Sequence, residues 1–101
     1  SSVRTDPIQH EIAKEKAEGL GLTETRLLAA LAAYRRHAGA RDANRTAAAE
    51  RERVVWELVE TLTSFVVQRE ACGLPDPRYV FDYYGVPADA IARIGIRRPR
   101  A

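Results

Sequence analysis

A broad apolar stripe between residues 45 and 72 constrains the fold of this chain more than any other feature of its sequence. The apolar side chains recur every three or four residues, which is the spacing of one face of an α-helix. They are Val54, Val55, Leu58, Val59, Leu62, Phe65 and Val66. Gly73 and Pro75 follow the stripe and are typical of a helix that ends in a left-handed residue. Because the stripe is wider than one contact seam requires, we predict a central helix over about residues 45–72 that is contacted from two sides.

A second long helix is predicted over about residues 7–38. It begins with Asp6 and Pro7, a combination typical of an N-cap and a first helical position. Gly19 and Gly21 each cost about 1 kcal/mol relative to alanine inside a helix. The apolar face nevertheless keeps its register through them, with residues seven apart at Leu20, Leu27 and Tyr34. We therefore favour one long helix, straight or bent. The alternative is a break at "GLGLT" and a restart with Thr23 as the N-cap.

Two short helices are predicted after the long ones, at about residues 77–84 and 87–94. Asp76 and Pro77 repeat the combination of N-cap and first-turn proline, and Gly85 separates the two helices. No strand pattern and no internal repeat occurs in the sequence. The fold class expected is therefore all-α, with the chain forming a single domain.

Two long helices joined by a short turn are expected to form an antiparallel hairpin. Its single seam leaves the far side of the broad stripe open, and the short helices are long enough to cover only one end. Exposed apolar surface of that length favours a homodimer with a four-helix bundle core. The predicted core or dimer interface consists of Leu27, Leu31, Tyr34, Val55, Leu58, Leu62 and Phe65. The alternative is a monomer whose core is closed by the C-terminal segment.

The net charge of +2 is concentrated near the C-terminus, where four arginines occur in the last nine residues. These candidate nucleic-acid contacts are Arg93, Arg97, Arg98 and Arg100. The remainder of the chain carries twelve basic and fourteen acidic side chains, so its net charge is negative. Residues 96–101 are expected to form a flexible basic tail, which most often is simply solvated.

A degenerate helix-turn-helix over residues 77–95 is a second interpretation of the C-terminal region. Gly85 falls at the turn of that motif, and the apolar residues after it fall at its buried positions. Phe81, however, stands where the motif requires a small residue, and only Arg93 of the would-be reading helix reaches a base or phosphate. We favour a helical cap that packs on the bundle, with a small DNA-associated regulator as the alternative.

Three polar or aromatic residues form a candidate partner surface: Arg69, Tyr79 and Tyr83. Tyr79 and Tyr83 lie on one face of the predicted helix 77–84, while the remaining apolar residues lie on another. One face must pack on the bundle, and the other offers a partner a large contact area at low entropic cost. For Arg69 the alternatives are a solvated last turn, which we favour, and an ion pair with an acid such as Asp82 that ties the cap to the bundle.

No residue pattern supports catalysis, a cofactor or a metal. His10 and His37 lie near opposite ends of the first helix, and Cys72 has no histidine partner in sequence. Phosphate-binding and zinc-binding motifs are absent. No apolar run approaches the roughly 18 residues that span a bilayer, and the single cysteine fits a reducing compartment. We expect a cytoplasmic, non-catalytic interaction or structural protein.

Three segments resemble a family of short, uncharacterised bacterial proteins: "HEIAKEKA" in the first long helix, "VQREACGL" at the end of the second and "YGVPADAIARIG" near the C-terminus. The similarity covers most of residues 8–95. The resemblance implies a helical fold and a function that is unknown, and it implies no activity.

Overall fold

The computed structural model describes residues 7–38, 45–74 and 77–99. Within these ranges the chain forms four α-helices and no β-strand. The helices are α1 (Pro7–Ala38), α2 (Arg45–Ala71), α3 (Pro77–Tyr84) and α4 (Ala88–Ala92). The predicted all-helical fold with two long helices that pack together is confirmed. The proposed N-caps Asp6 and Asp76 lie outside the described residues.

The two long helices run antiparallel, as contacts near both ends show. At one end the Gln68 side-chain amide lies 3.4 Å from the Lys16 carbonyl oxygen. At the other end His37 Nε2 lies 3.9 Å from a Glu50 carboxylate oxygen. The helices contain 32 and 27 residues, so α1 is about 8 Å longer than α2 at roughly 1.5 Å per residue.

The first helix continues without a break through both of its glycines, as the register of its apolar face predicted. Gly19 lies where α1 and α2 approach closely, because a Cβ atom added there would lie 2.9 Å from Gln68 Nε2. Gly21 faces open space, with nothing within 4 Å of an added Cβ. Only Gly19 therefore has a packing reason to lack a side chain.

Replacing Gly21 by alanine is expected to raise the free energy of unfolding by about 0.5–1 kcal/mol, because alanine loses less backbone entropy in a helix. Urea unfolding of the two proteins measures the difference. The matched control is Gly19→Ala, which should stabilise less, because the Gln68 side chain must move aside. Equal stabilisation by both substitutions would contradict the close approach at Gly19.

The core lies between α1, α2 and the C-terminal segment. Its largest buried members include five of the predicted interface residues: Leu27, Leu31, Leu58, Leu62 and Phe65. Tyr34 packs against this core while half-buried, and Val55 is buried outside the main cluster. The predicted bundle positions therefore face inward within one chain.

The expectation that the far side of the broad stripe would stay open is wrong. Val59 of the stripe and Trp56, which lies beside the stripe, are buried in the same cluster as Val86 and Ala90 of the C-terminal segment. The short helices fold back along the hairpin and cover it because a small residue, Ala90, allows α4 to lie directly on α2. This burial matches the alternative in which the C-terminal segment closes the core within one chain.

Glycines in the left-handed conformation end both α2 and α3. Gly73 has φ 73°, and the Leu74 amide donates to the Arg69 carbonyl 3.0 Å away. Gly85 has φ 63°, and the Val86 amide donates to the Phe81 carbonyl 2.9 Å away. Both ends are Schellman motifs, which redirect the chain sharply after a helix. These two turns set the path that brings α3 and α4 onto the bundle.

The last helix is shorter than the predicted range 87–94, since α4 ends at Ala92. Arg93 caps it with φ −96° and ψ −1°, and its amide donates to the Ala90 carbonyl. Gly95 then takes φ 81° and turns the chain out of the helix. Beyond it, the described part of the predicted tail, residues 96–99, is exposed and contains no helix.

Candidate interaction surfaces

An apolar groove lies at the end of the hairpin where α1 extends beyond α2. We call it the end groove, and its volume is about 520 Å³. It is lined by Gln9, Ile12, Ala13, Lys16, Ala17, Leu20, Cys72 and Leu74. The Cys72 Sγ atom lies 3.7 Å from the Lys16 carbonyl oxygen, so the end of α2 stands opposite Lys16. The first nine residues of α1, a length of about 13 Å, therefore project past α2.

The face of α1 that points into the core continues along this projection. Ile12 and Leu74 remain exposed there, and Ile8 is exposed beside them. Sequence reasoning missed the groove because it paired the two long helices as equals. The signal available was their unequal length: the range 7–38 exceeds 45–71 by five residues, and a short turn joins the two helices.

A second surface lies where α3 meets the last turn of α2, and we call it the tyrosine surface. It comprises Arg69, Tyr79, Val80, Tyr83 and Tyr84, which surround a hollow of about 290 Å³. The face of α3 that carries Val80 packs inward, because Val80 is buried. The rings of Tyr79 and Tyr83 on the other face are exposed. These two rings stack on one another, with centroids 6.3 Å apart and planes inclined by 21°.

Arg69 forms no ion pair with Asp82, so the proposed tie between cap and bundle through this pair is wrong. Its guanidinium lies instead over the ring of Phe65, 5.8 Å from the centroid. The Nε atom is buried and finds no hydrogen-bond acceptor among the described residues. The side chain is half-buried, because it packs against the core through its stem and against an aromatic face through its head.

Tyr84 links α3 to α1 on the inner side of the tyrosine surface. Its hydroxyl donates a hydrogen bond to the Glu24 carboxylate, and its ring meets that of Phe65 edge-on at 5.7 Å. Burial, followed by the hydrogen bond to Glu24, raises the pKa of Tyr84 to about 12. Arg35 completes this junction by donating to the Tyr84 carbonyl oxygen at 3.0 Å.

The predicted nucleic-acid contact Arg93 is held by contacts within the chain. Its guanidinium donates two hydrogen bonds to Glu52, at 3.0 and 3.1 Å. It also lies over the ring of Trp56, 5.1 Å from the centroid. The hydrogen bonds from Arg93 lower the pKa of Glu52. A guanidinium satisfied by a carboxylate and an indole is poorly placed to reach a phosphate.

The other candidate nucleic-acid contacts are not gathered into one cationic patch. Arg98 donates to Glu60 at 3.1 Å, which attaches the residues after α4 to α2. Arg97 is exposed and forms no ion pair with the described residues. Arg100 lies outside them. The acids of α2 therefore neutralise two of the four arginines.

Titratable groups elsewhere are dispersed. His10 is exposed near the start of α1, and His37 lies near its end beside Glu50. The part of the chain that the structure describes holds no cluster of three or more His, Cys, Asp or Glu side chains suited to a metal ion. In the same ranges, no helix combines the length and apolar character that crossing a membrane requires.

The comparisons with known proteins place the chain in a family and give no functional neighbour. The model of a family of unknown function (DUF6665) matches residues 2–99, almost the whole chain. Neither the curated proteins nor the solved structures contain a significant match.

Proposed function

Since the chain belongs to a family of unknown function (DUF6665), we propose from its geometry that it is a non-catalytic helical interaction module that pairs with a second copy of itself. The pairing surface in this proposal is the end groove. The single observation that carries it is the core-facing side of α1, which continues about 13 Å beyond the end of α2 with exposed isoleucines.

A second copy is the occupant that the shape of the groove favours. Each chain has the same end, which the described residues leave open, so two projecting segments laid antiparallel across a two-fold axis cover each other at once. Such isologous contacts are the commonest form of self-association. Charge does not oppose it, because acidic and basic side chains alternate along the projection at Glu11, Lys14, Glu15 and Lys16. The assembled core is then a dimeric helical bundle continuous with the hairpin of each chain.

A non-catalytic role is supported by two of the polar contacts between side chains. The Tyr84–Glu24 hydrogen bond and the Arg93–Glu52 pair each join one helix to another. Side chains whose polar atoms stabilise the fold through such contacts are not available as acids or bases for a substrate. The proposal includes a cytoplasmic location, because a single half-buried thiol at Cys72 suits a reducing compartment.

Light scattering at several protein concentrations tests the pairing. The native chain is expected to approach twice its monomer mass as concentration rises. Ile12→Glu should raise the dissociation constant of the dimer at least tenfold, about 1.4 kcal/mol, because it buries an unpaired carboxylate in an apolar contact.

The matched control is Leu28→Glu, which introduces the same charge on the same helix away from the groove. The exposed fractions of the two side chains are nearly equal, 46% for Ile12 and 47% for Leu28. Leu28→Glu should leave the mass unchanged. A native chain that stays monomeric at every concentration, or equal effects of both substitutions, would refute pairing through the end groove.

A further inference from the structure

We propose that the tyrosine surface binds a segment of another protein that carries an acidic side chain next to an apolar one. In this complex the carboxylate pairs with Arg69, and the apolar side chain enters the hollow between Arg69 and the tyrosines. The inference goes beyond self-association, since the tyrosine surface and the end groove share no residue.

The hollow has the size and the walls of a side-chain pocket. Its volume of about 290 Å³ accommodates one large apolar side chain together with a carboxylate. Val80, which is almost fully buried, contributes to the lining beside the rings of three tyrosines. Concave sites that combine aromatic and aliphatic walls with a few well-placed polar groups are typical of ligand and peptide recognition.

The rings of Tyr79 and Tyr83 are exposed and are not part of the core cluster. Tyr79 is 67% exposed and Tyr83 is 71% exposed, whereas Val80, Phe81 and Tyr84 of the same helix contribute to packing. Tyrosine and arginine are enriched among the residues that dominate binding energy at protein interfaces. The stack of Tyr79 on Tyr83 restricts both rings in advance, which lowers the entropy lost when a partner binds.

The charge of Arg69 indicates the acidic component of the partner. Three other arginines, Arg53, Arg93 and Arg98, each pair with a glutamate. Arg69 has no such partner among the described residues, and its guanidinium is held over the Phe65 ring. A cation held beside a hollow that is walled largely by tyrosine side chains is complementary to a carboxylate, with which guanidinium forms charge-assisted hydrogen bonds.

The acids around this surface favour a protein segment over a nucleic acid. Glu70 and Asp82 are both exposed and directly follow Arg69 and Phe81 in sequence. An extended polyanion laid across α3 would meet these carboxylates, whereas a single acidic side chain need only meet Arg69. Binding to a polyanion requires several cations in a row, and the tyrosine surface has one.

A small probe of matched shape tests the pocket in the full-length chain. The probe is 3-phenylpropionate, which joins a phenyl ring to a carboxylate, and its neutral counterpart is 3-phenylpropionamide. In a nuclear magnetic resonance titration at millimolar concentration, the carboxylate should shift the backbone amides of residues 77–84. Its dissociation constant should be about fivefold lower than that of the amide, the effect of one partly solvated ion pair.

Three variants distinguish the contribution of the Arg69 charge to probe binding from that of the shape of the hollow. Arg69→Gln should abolish the preference for the carboxylate over the amide, whereas Arg26→Gln, which removes an exposed charge on α1, should preserve it. Tyr79→Ala removes one wall of the hollow. It should weaken the binding of both probes without changing the packing of the core. The proposal is overturned if the two probes bind equally to the native chain or if neither shifts residues 77–84. It is equally overturned if inorganic phosphate alone shifts them as strongly, which would indicate a simple anion site.

Discussion

Replacing Phe65 by alanine is expected to lower the free energy of unfolding by about 3–5 kcal/mol, the range for a buried aromatic ring. The ring is 2% exposed at the centre of the core. It also supports two other groups: Tyr84 meets its edge, and Arg69 lies over its face. The substitution leaves a cavity at the one point where α2, α3 and the tyrosine surface meet, so the cost should fall in the upper part of that range.

A second consequence of this substitution concerns the ionisation of Tyr84. Burial is the largest cause of its raised pKa of about 12, and the Phe65 ring provides part of that burial. In Phe65→Ala we expect the pKa to fall toward the usual value near 10 for tyrosine. Absorbance of the tyrosinate during an alkaline titration measures it, and Tyr84→Phe identifies the step by its disappearance.

The sign of the effect on stability follows from the direction of this shift. Because the folded chain holds the Tyr84 proton more tightly than the unfolded chain does, its contribution to stability is present below about pH 10. That contribution is lost as the pH rises through about 12. The native protein should therefore lose stability over this interval more steeply than Phe65→Ala does.

Val67→Ala is the matched control for Phe65, since it removes an apolar side chain from the same helix at an exposed position. It should change the free energy of unfolding by no more than about 0.5 kcal/mol. A loss below about 1 kcal/mol in Phe65→Ala, with an unchanged titration of Tyr84, would contradict the packing of α3 against this ring.

Local signals in the sequence were enough to predict the four helices and the ends of α2 and α3, but not the end of α4 at Ala92. The left-handed Gly73 and the bond from the Leu74 amide to the Arg69 carbonyl depend only on residues within one turn. The continuity of α1 was the favoured of two predictions, because the seven-residue spacing of its apolar face argued against a break at the two glycines. These features are governed by interactions between close neighbours in the chain, and the sequence displays such neighbours directly.

The position of the C-terminal segment could not be predicted from such signals. Ala90 of α4 is completely buried, while Ala88 and Ala92 of the same helix are exposed, and nothing in the sequence distinguishes these three alanines. The pair between Arg93 and Glu52 joins residues 41 positions apart. Contacts at that separation depend on the path of the chain through two turns. For the same reason, the tyrosine face was recognisable in sequence, but the hollow beside Arg69 was not.

Arg93→Ala is expected to lower the free energy of unfolding by about 1–2 kcal/mol. The variant loses both a cation–π contact and an ion pair. Solvent screening reduces the contribution of the ion pair to stability, because the Glu52 side chain is 60% exposed. Trp56 reports the change without ambiguity because it is the single tryptophan of the chain. Its indole is covered by Arg93, so its fluorescence should become more accessible to acrylamide in the variant.

Arg97→Ala is the matched control, because Arg97 is a neighbouring exposed arginine without an ion pair to the described residues. It should change neither the free energy of unfolding nor the acrylamide quenching of Trp56 by more than the experimental error. In a double-mutant cycle, Arg93→Ala and Glu52→Gln should show a coupling of about 0.5–1 kcal/mol, as expected for groups in direct contact.

The same pair of variants separates a structural arginine from one that contacts DNA. A nucleic-acid contact would contribute to duplex binding at low salt, would weaken steeply as salt is added, and would add little to stability. We expect the reverse for Arg93, because its donors already bind Glu52 and its face already meets Trp56. If both arginine variants weakened salt-dependent duplex binding while leaving unfolding unchanged, the C-terminal segment would be a DNA-contacting element. If only Arg93→Ala destabilised the chain, and neither the native protein nor the variants bound duplex DNA, the role of α4 would be to pack on the bundle and stabilise it.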